Sequence, residues 1–211
     1  FANRGAILDR NCVELATNDI KSAASDFAGR LYTPIKGLAH LVGYIKYPKT
    51  DSSGNYYDIN YRAKDGVELA YDELLHGENG KKLVETDVAG MVTSESVVEK
   101  SREGSTLTLS VDARVTEELY KGIAELAAKS RFVGGAGVII DVETGEILAL
   151  TSYPEYDQNA MTHGISREDF DALLRDKRTP FLNRAVGGLY TPGSIVKPIV
   201  VRVLGGIGGE K

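Results

Sequence analysis

The strongest constraint on the fold lies in residues 112–151, where a helix signal runs directly into a strand hairpin. Asp112 stands where a helix N-cap would, with a carboxylate able to accept from the first free backbone N–H groups. Val115, Leu119, Ile123, Leu126 and Ala127 follow at helical spacing, with Glu117 and Glu118 near the start. The spacing predicts an amphipathic helix over 113–130. Gly137 to Asp141 and Glu146 to Thr151 then read as two strands, with Val142 to Gly145 as their turn. Both strands are nearly continuous in apolar residues, so both faces are expected to be covered. A strand, a helix and an antiparallel hairpin in that order predict an α+β fold, which a helical bundle or a parallel βαβ sheet would rule out.

Upstream, turns outnumber helices. In Arg4-Gly5-Ala6-Ile7-Leu8-Asp9-Arg10 the apolar residues lie between charges, which suits a short strand. Asp19 to Leu31 mixes alanine with polar residues and is compatible with a helix. Asp51-Ser52-Ser53-Gly54-Asn55 is a turn flanked by Tyr-rich strands, and Asp65-Gly66 is another turn. Val67 to Leu75 reads as a short helix ending before Gly77. Residues 83–99 are rich in valine and threonine and read as extended, broken at Gly90. Leu107, Leu109 and Val111 alternate with Thr108 and Ser110, the pattern of a half-buried strand. Downstream, Ser166 and Asp169 form a capping box for a helix to about Arg175. Ile199 to Leu204 starts a buried helix, and Gly205-Gly206-Ile207-Gly208-Gly209 is too glycine-rich to continue it.

Composition narrows function by exclusion. The 211 residues, 42% hydrophobic and 26% charged, suffice for one large domain or two small ones with a sizeable core. A net charge of −5 gives no electrostatic basis for a nucleic-acid partner. No apolar run approaches the ~20 residues needed to span a bilayer. The abrupt start at Phe1 leads to the expectation of a targeting segment upstream. A single cysteine, Cys12, excludes an internal disulfide and reads as a plain small side chain. His40, His76 and His163 sit in separate segments without ligand spacing, so neither a metal site nor a cofactor is expected.

Taken in order, the pieces resemble the class B penicillin-binding proteins. Arg4-Gly5-Ala6-Ile7-Leu8-Asp9-Arg10-Asn11 is similar to that family's RGxIxDRN signature, with Cys12 where the family usually has glycine. Ala39-His40-Leu41-Val42-Gly43-Tyr44 resembles the AHLxGY segment of its pedestal. Leu107 to Asp112 is similar to the LTID strand that opens the transpeptidase domain, and Gly135 to Asn159 to that domain's first hairpin. Asn183-Arg184-Ala185 and Tyr190-Thr191-Pro192-Gly193-Ser194-Ile195-Val196-Lys197 resemble the run ending in the S-x-x-K box, which occurs once in the chain. The family's later S-x-N and K-T-G motifs do not follow Ser194 within these 211 residues. Ser53-Gly54-Asn55 fits S-x-N by letters, but it precedes Ser194 and reads as a plain turn.

The resemblance implies an irregular, β-rich pedestal over 1–105 and an incomplete transpeptidase portion over 106–204, followed by a Gly-rich tail or join at 205–211. It implies acyl transfer from D-Ala-D-Ala stem peptides through Ser194, with Lys197 as the proton acceptor. A serine hydroxyl is a weak nucleophile until a base takes its proton, and a lysine three positions on shares its helix face. Burial would lower the lysine pKa and make it that base. The Ser194 N–H at the helix start can point to a developing oxyanion. Arg4, Asp9 and Arg10 read as pedestal salt bridges and His40 as a packed residue. Tyr44, Tyr47, Tyr56, Tyr57 and Tyr61 read as strand packing.

The partners implied are peptidoglycan stem peptides, β-lactams on the intact parent, and a glycan polymerase or other cell-wall proteins. The location implied is the extracytoplasmic face of the bacterial inner membrane, reached through an N-terminal anchor. Alone, the 211 residues are expected to be inactive, because the strand bearing K-T-G would form one wall of the cleft. A pedestal module that binds a polymerase without catalysis is the alternative. A serine β-lactamase is the third reading, opposed by the first 105 or so residues, for which that fold has no use.

Overall fold

A computed structural model of the chain describes residues 1–19, 27–52, 56–87, 92–191 and 193–197. Four strands build the first sheet: β1 (Ile7–Leu8), β2 (Glu14–Asp19), β3 (Gly29–Tyr32) and, from far along the chain, a strand at Leu107–Thr108. Next come α1 (Ala39–Val42), β4 (Ile45–Lys46), β5 (Lys49–Thr50), β6 (Tyr56–Asp58) and β7 (Arg62–Ala63). The short helices α2 (Gly66–Ala70) and α3 (Asp72–Leu75) lead to a long hairpin, β8 (Lys81–Thr86) and β9 (Val92–Glu99). The Leu107–Thr108 strand is β10, followed by α4 (Ala113–Ser130), β11 (Gly135–Ile140), β12 (Ile147–Tyr153), α5 (Gln158–His163) and α6 (Arg167–Arg175). The class is α+β, as expected.

Local signals were read well where they were self-contained. Asp112 caps α4, its carboxylate accepting from the N–H groups of Arg114 (2.9 Å) and Val115 (3.2 Å). Ser166 caps α6, its hydroxyl accepting from the Asp169 N–H at 3.0 Å. Asp65 caps α2 rather than only turning the chain, and the helix expected over Val67 to Leu75 breaks at Tyr71 into α2 and α3.

Three expectations need correction. Asp19 ends β2, and Gly29–Leu31 lie in β3, with a bend at Phe27 and no helix in the described part of the Asp19–Leu31 segment; residues 20–26 lie outside the described residues. Pairing on both sides of β2, with β1 and with β3, overrides the alanine-rich composition. The strand expected over Leu107–Val111 shortens to Leu107–Thr108, because it pairs with β1 over two residues only. The hairpin β11–β12 is not covered on both faces: Val138, Ile139 and Ile140 of β11 are exposed, while Ala149 to Ser152 of β12 are buried. Helix α4 covers one face; Leu119 and Ile123 pack so closely on Gly137 that a Cβ there would lie 3.0 Å from the leucine methyls. Val115 and Leu126, counted in the apolar stripe of α4, are exposed.

Two cores result. The first joins Ile7, Leu15, Tyr32, Leu38, Val42 and Leu75 with Val111 and Ala113, so the start of α4 is rooted in the N-terminal sheet. A parallel pairing, Ile7 with Leu107, accompanies it. Gly5 permits the close approach that this needs, since a Cβ there would fall 1.9 Å from the Ser105 carbonyl oxygen. The second core is smaller and joins Ala39 and Tyr44 to Tyr156, Met161, Phe170 and Phe181.

The signature residues near the start hold this N-terminal body together. Arg4 Nε lies 2.6 Å from one Glu68 oxygen and Arg30 Nε 2.8 Å from the other, with all three side chains almost wholly buried. Arg4 also reaches half-exposed Asp72 at 2.7 Å, so two buried cations face two carboxylates. Burial, together with the Glu68 carboxylate, pushes the Tyr32 hydroxyl pKa well up; its O–H donates to Glu68 at 3.1 Å. Buried Asp9 accepts from the N–H groups of Asn11, Val13 and Ala113, and Arg10 reaches Glu146 at 3.7 Å. Cys12 is exposed at φ 62°, in the left-handed region where glycine costs least. Phe1, Phe27, Tyr47, Tyr56 and Tyr61 pack as an edge-to-face cluster, while Tyr57 is exposed.

Candidate functional site

Ser194 lies in a single 3₁₀ turn, Gly193–Val196, and Lys197 follows at once in helical conformation. Gly193 has φ 57°, the left-handed geometry that a tight entry requires, and a Cβ there would meet nothing within 4 Å. Ser194 and Lys197 are both exposed. Neither side chain makes a hydrogen bond among the described residues. Pro192, Pro198 and the apolar run Ile199 to Leu204 lie outside the described residues, as does Ser53-Gly54-Asn55.

What leads to the serine is held firmly. Ser152 of β12 donates to the Leu182 carbonyl at 3.0 Å and accepts from the Arg184 N–H at 3.0 Å. The Arg184 guanidinium is buried and donates to the carbonyls of Arg178, Thr179 and Leu182 and to the Thr179 hydroxyl. Asn183 closes the turn that follows, its side chain accepting from Ala185 N–H and its carbonyl from Gly187 N–H.

Behind this loop, the chain after β12 clamps onto the N-terminal body. The Glu155 carboxylate accepts from the N–H groups of Gly37 (3.0 Å) and Ala39 (3.1 Å), just ahead of and in α1. Burial pushes its pKa up in spite of those donors. Burial and the nearby Glu155 charge push Tyr120 of α4 up to about 12. The Tyr156 hydroxyl lies 3.2 Å from the Ala39 carbonyl and 3.0 Å from the Asp65 carboxylate. Gln158 donates to the Gly43 carbonyl, and Lys46 to that of Met161. Asn159 bonds both backbone groups of Tyr32, at 2.9 and 3.0 Å. His40 is buried edge-on to Tyr156, and burial lowers its pKa, which keeps the ring neutral. This clamp leaves little trace in the sequence, because apart from Asp65 its partners are backbone groups more than a hundred residues away. The only local signal was a polar run, Glu155 to Asn159, directly after a buried strand.

Among the described residues, no three histidine, cysteine or carboxylate side chains are grouped to hold a metal, and no helix is long and apolar enough to cross a membrane.

Comparison with known proteins places these elements. The penicillin-binding protein dimerisation domain family matches residues 23–109, and the penicillin-binding protein transpeptidase domain family matches residues 135–205. The peptidoglycan D,D-transpeptidase MrdA of Escherichia coli K12 is 36% identical over 180 residues, covering 81% of this chain and 27% of the relative. Penicillin-binding protein 3 of Bacillus subtilis is 32% identical over 184 residues, covering 85% of this chain and 26% of its own. The chain thus spans about a quarter of the length of these relatives. Among solved structures, Pseudomonas aeruginosa PBP2 in complex with WCK 5153 superposes with a TM-score of 0.65 at 34% identity, covering 95% of this chain and 38% of that one. Helicobacter pylori PBP2, solved in complex with MreC, gives a TM-score of 0.67 over 93% of this chain and 50% of that one; at 24% identity it speaks for the fold alone.

Proposed function

The chain belongs to the class B penicillin-binding proteins, and on that premise we propose that the full-length protein is a peptidoglycan D,D-transpeptidase with Ser194 as its nucleophile. One observation carries the reading: the single S-x-x-K of the chain falls inside the segment matched to the transpeptidase domain, at the start of a helical turn. Ser194 Oγ attacks the carbonyl of the D-Ala-D-Ala bond, the terminal D-Ala leaves, and an amine of a second stem peptide resolves the acyl-enzyme. Lys197 takes the hydroxyl proton once further chain covers and desolvates it. β-Lactams acylate the same serine. The protein works on the extracytoplasmic face of the inner membrane, tethered by an anchor upstream, with other cell-wall proteins as partners.

Residues 1–105 serve as pedestal and 106–204 as the first part of the catalytic domain in this proposal. The chain alone is inactive, since positioning and oxyanion stabilisation also require the elements bearing S-x-N and K-T-G. The pedestal's role as a docking module for a glycan polymerase is compatible with this. It is favoured by the hairpin β8–β9, whose Leu83, Val84, Val97 and Val98 are exposed.

The test uses the full-length protein and a fluorescent penicillin. Ser194→Ala should abolish labelling, and Lys197→Ala should remove it with the fold intact. Labelling that persists on another residue refutes the assignment.

A further inference from the structure

We propose that Arg184 is a positioning residue that fixes the segment carrying Ser194. The inference rests on the reading of Ser194 as nucleophile and goes beyond it, because Arg184 acts on the turn that precedes the serine and not on the serine itself.

Arg184 is a buried cation, 7% exposed, with no carboxylate among the described residues in ion-pair range. Its guanidinium is instead spent on one turn. It donates to the carbonyls of Arg178, Thr179 (3.3 Å) and Leu182 (3.4 Å), and to Thr179 Oγ1 at 2.8 Å. A planar guanidinium with five donors can serve four acceptors on one loop; an ammonium cannot. Thr179 sits at φ 46°, a conformation that a β-branched residue adopts only under restraint, and Arg184 holds both its hydroxyl and its carbonyl.

The turn so formed is pinned to the sheet twice. Ser152 of β12 bonds both the Leu182 carbonyl and the Arg184 N–H. On the other side, Gly134, just ahead of β11, leaves room for the guanidinium: a Cβ there would lie 2.6 Å from Arg184 Nε and 2.8 Å from Cζ. Among the described residues Arg184 is also the last buried one before the serine, ten positions on; Ala185 to Thr191 are exposed or half-buried. The strand hairpin is therefore joined to the chain leading to Ser194 through the Ser152 hydroxyl and through the turn that the Arg184 side chain closes. A buried unpaired charge is an expensive way to close a loop that an apolar residue could also fill. Its advantage is directional bonding, which fixes where the chain leaves the turn.

The experiment measures benzylpenicillin acylation of the full-length protein by stopped flow, resolving the non-covalent Kd from the acylation rate constant. Arg184→Lys keeps the charge and stem and so protects folding. It should lower the rate constant about 10-fold with Kd unchanged, the signature of a misplaced nucleophile. Arg184→Ala should lose more, about 100-fold, and millimolar guanidinium should restore part of it. Ser152→Ala should reproduce the loss in weaker form. A folded Arg184→Lys protein with a rate constant within about 2-fold of wild type overturns the proposal. So does a loss confined to Kd or thermal stability with the rate constant unmoved. Ser194→Ala in the same series separates the premise: persistent acylation there refutes the nucleophile, whatever Arg184 does.

Discussion

Residues 153–184 and residues 186–197 are neighbours in the chain, yet they are held in opposite ways. The first stretch sends Glu155, Tyr156, Gln158 and Asn159 into the N-terminal body, where each hydrogen-bonds a backbone group. In the second, Val186 and Tyr190 are largely exposed, Leu189 is wholly so, and Ser194 and Lys197 face outward. Both stretches carry apolar residues; composition does not separate them. The difference lies in what they face. The first packs against α1, β3 and β4, whereas the surface that would cover the second is not built by the described residues. The segment carrying Ser194, the proposed nucleophile, is thus anchored on one side by the chain that precedes it and left uncovered by the described residues on the other.

Substitutions along the two stretches test that contrast, and the largest effect belongs to Tyr156→Ala. It empties the second core and removes the bond to Asp65, and it should cost about 3–5 kcal/mol of unfolding free energy by denaturant titration. A loss below about 1 kcal/mol would show that the clamp is surface decoration. Asn159→Ala strands both backbone groups of Tyr32 and should cost about 1–3 kcal/mol in the same assay.

Glu155→Gln sharpens the comparison through pH. Burial raises the folded pKa of Glu155 above its ordinary 4.5, so folding favours the protonated acid. Its contribution to stability is fully present below 4.5 and is lost as pH rises through the raised value. A neutral glutamine keeps the acceptor for Gly37 and Ala39 and carries no charge. Glu155→Gln should therefore melt higher than wild type at pH 8, with the gap closing toward pH 4. A gap that widens toward acid would reverse the sign and the account of the clamp. The smallest effect belongs to the second stretch: Leu189→Ser, at a fully exposed position, should change stability by less than about 0.5 kcal/mol.

How much of this was legible in the sequence follows the range of the interactions. Helix α4, the cap at Ser166 and the hairpin β11–β12 rest on contacts within a few residues, and spacing alone revealed them. Strand β3 did not show, because its pairing with β2 competes with an alanine-rich local composition and wins only in the folded chain. The apolar run of β11 was legible but its surroundings were not: strand composition reports what a strand would bury, not what is present to bury it. The proposal of Ser194 and Lys197 rests on an ordered set of short motifs rather than on contacts. The part played by Glu155, and by Arg184 within its Asn183-Arg184-Ala185 motif, did not show, because a side chain whose partners are mostly backbone groups leaves no pattern in the partner's sequence.

The central proposal is that Ser194 is the nucleophile of the full-length protein and that the described residues hold the segment leading to it from one side only. The direct measurement is intact mass and peptide mapping after prolonged exposure to benzylpenicillin, run in parallel on the 211-residue chain and on the full-length protein. The account predicts one penicilloyl group on Ser194 of the full-length protein and an unmodified 211-residue chain whose α4 and β11–β12 remain folded by circular dichroism. A stoichiometric adduct on Ser194 of the isolated chain, or an adduct elsewhere in the full-length protein, would contradict it.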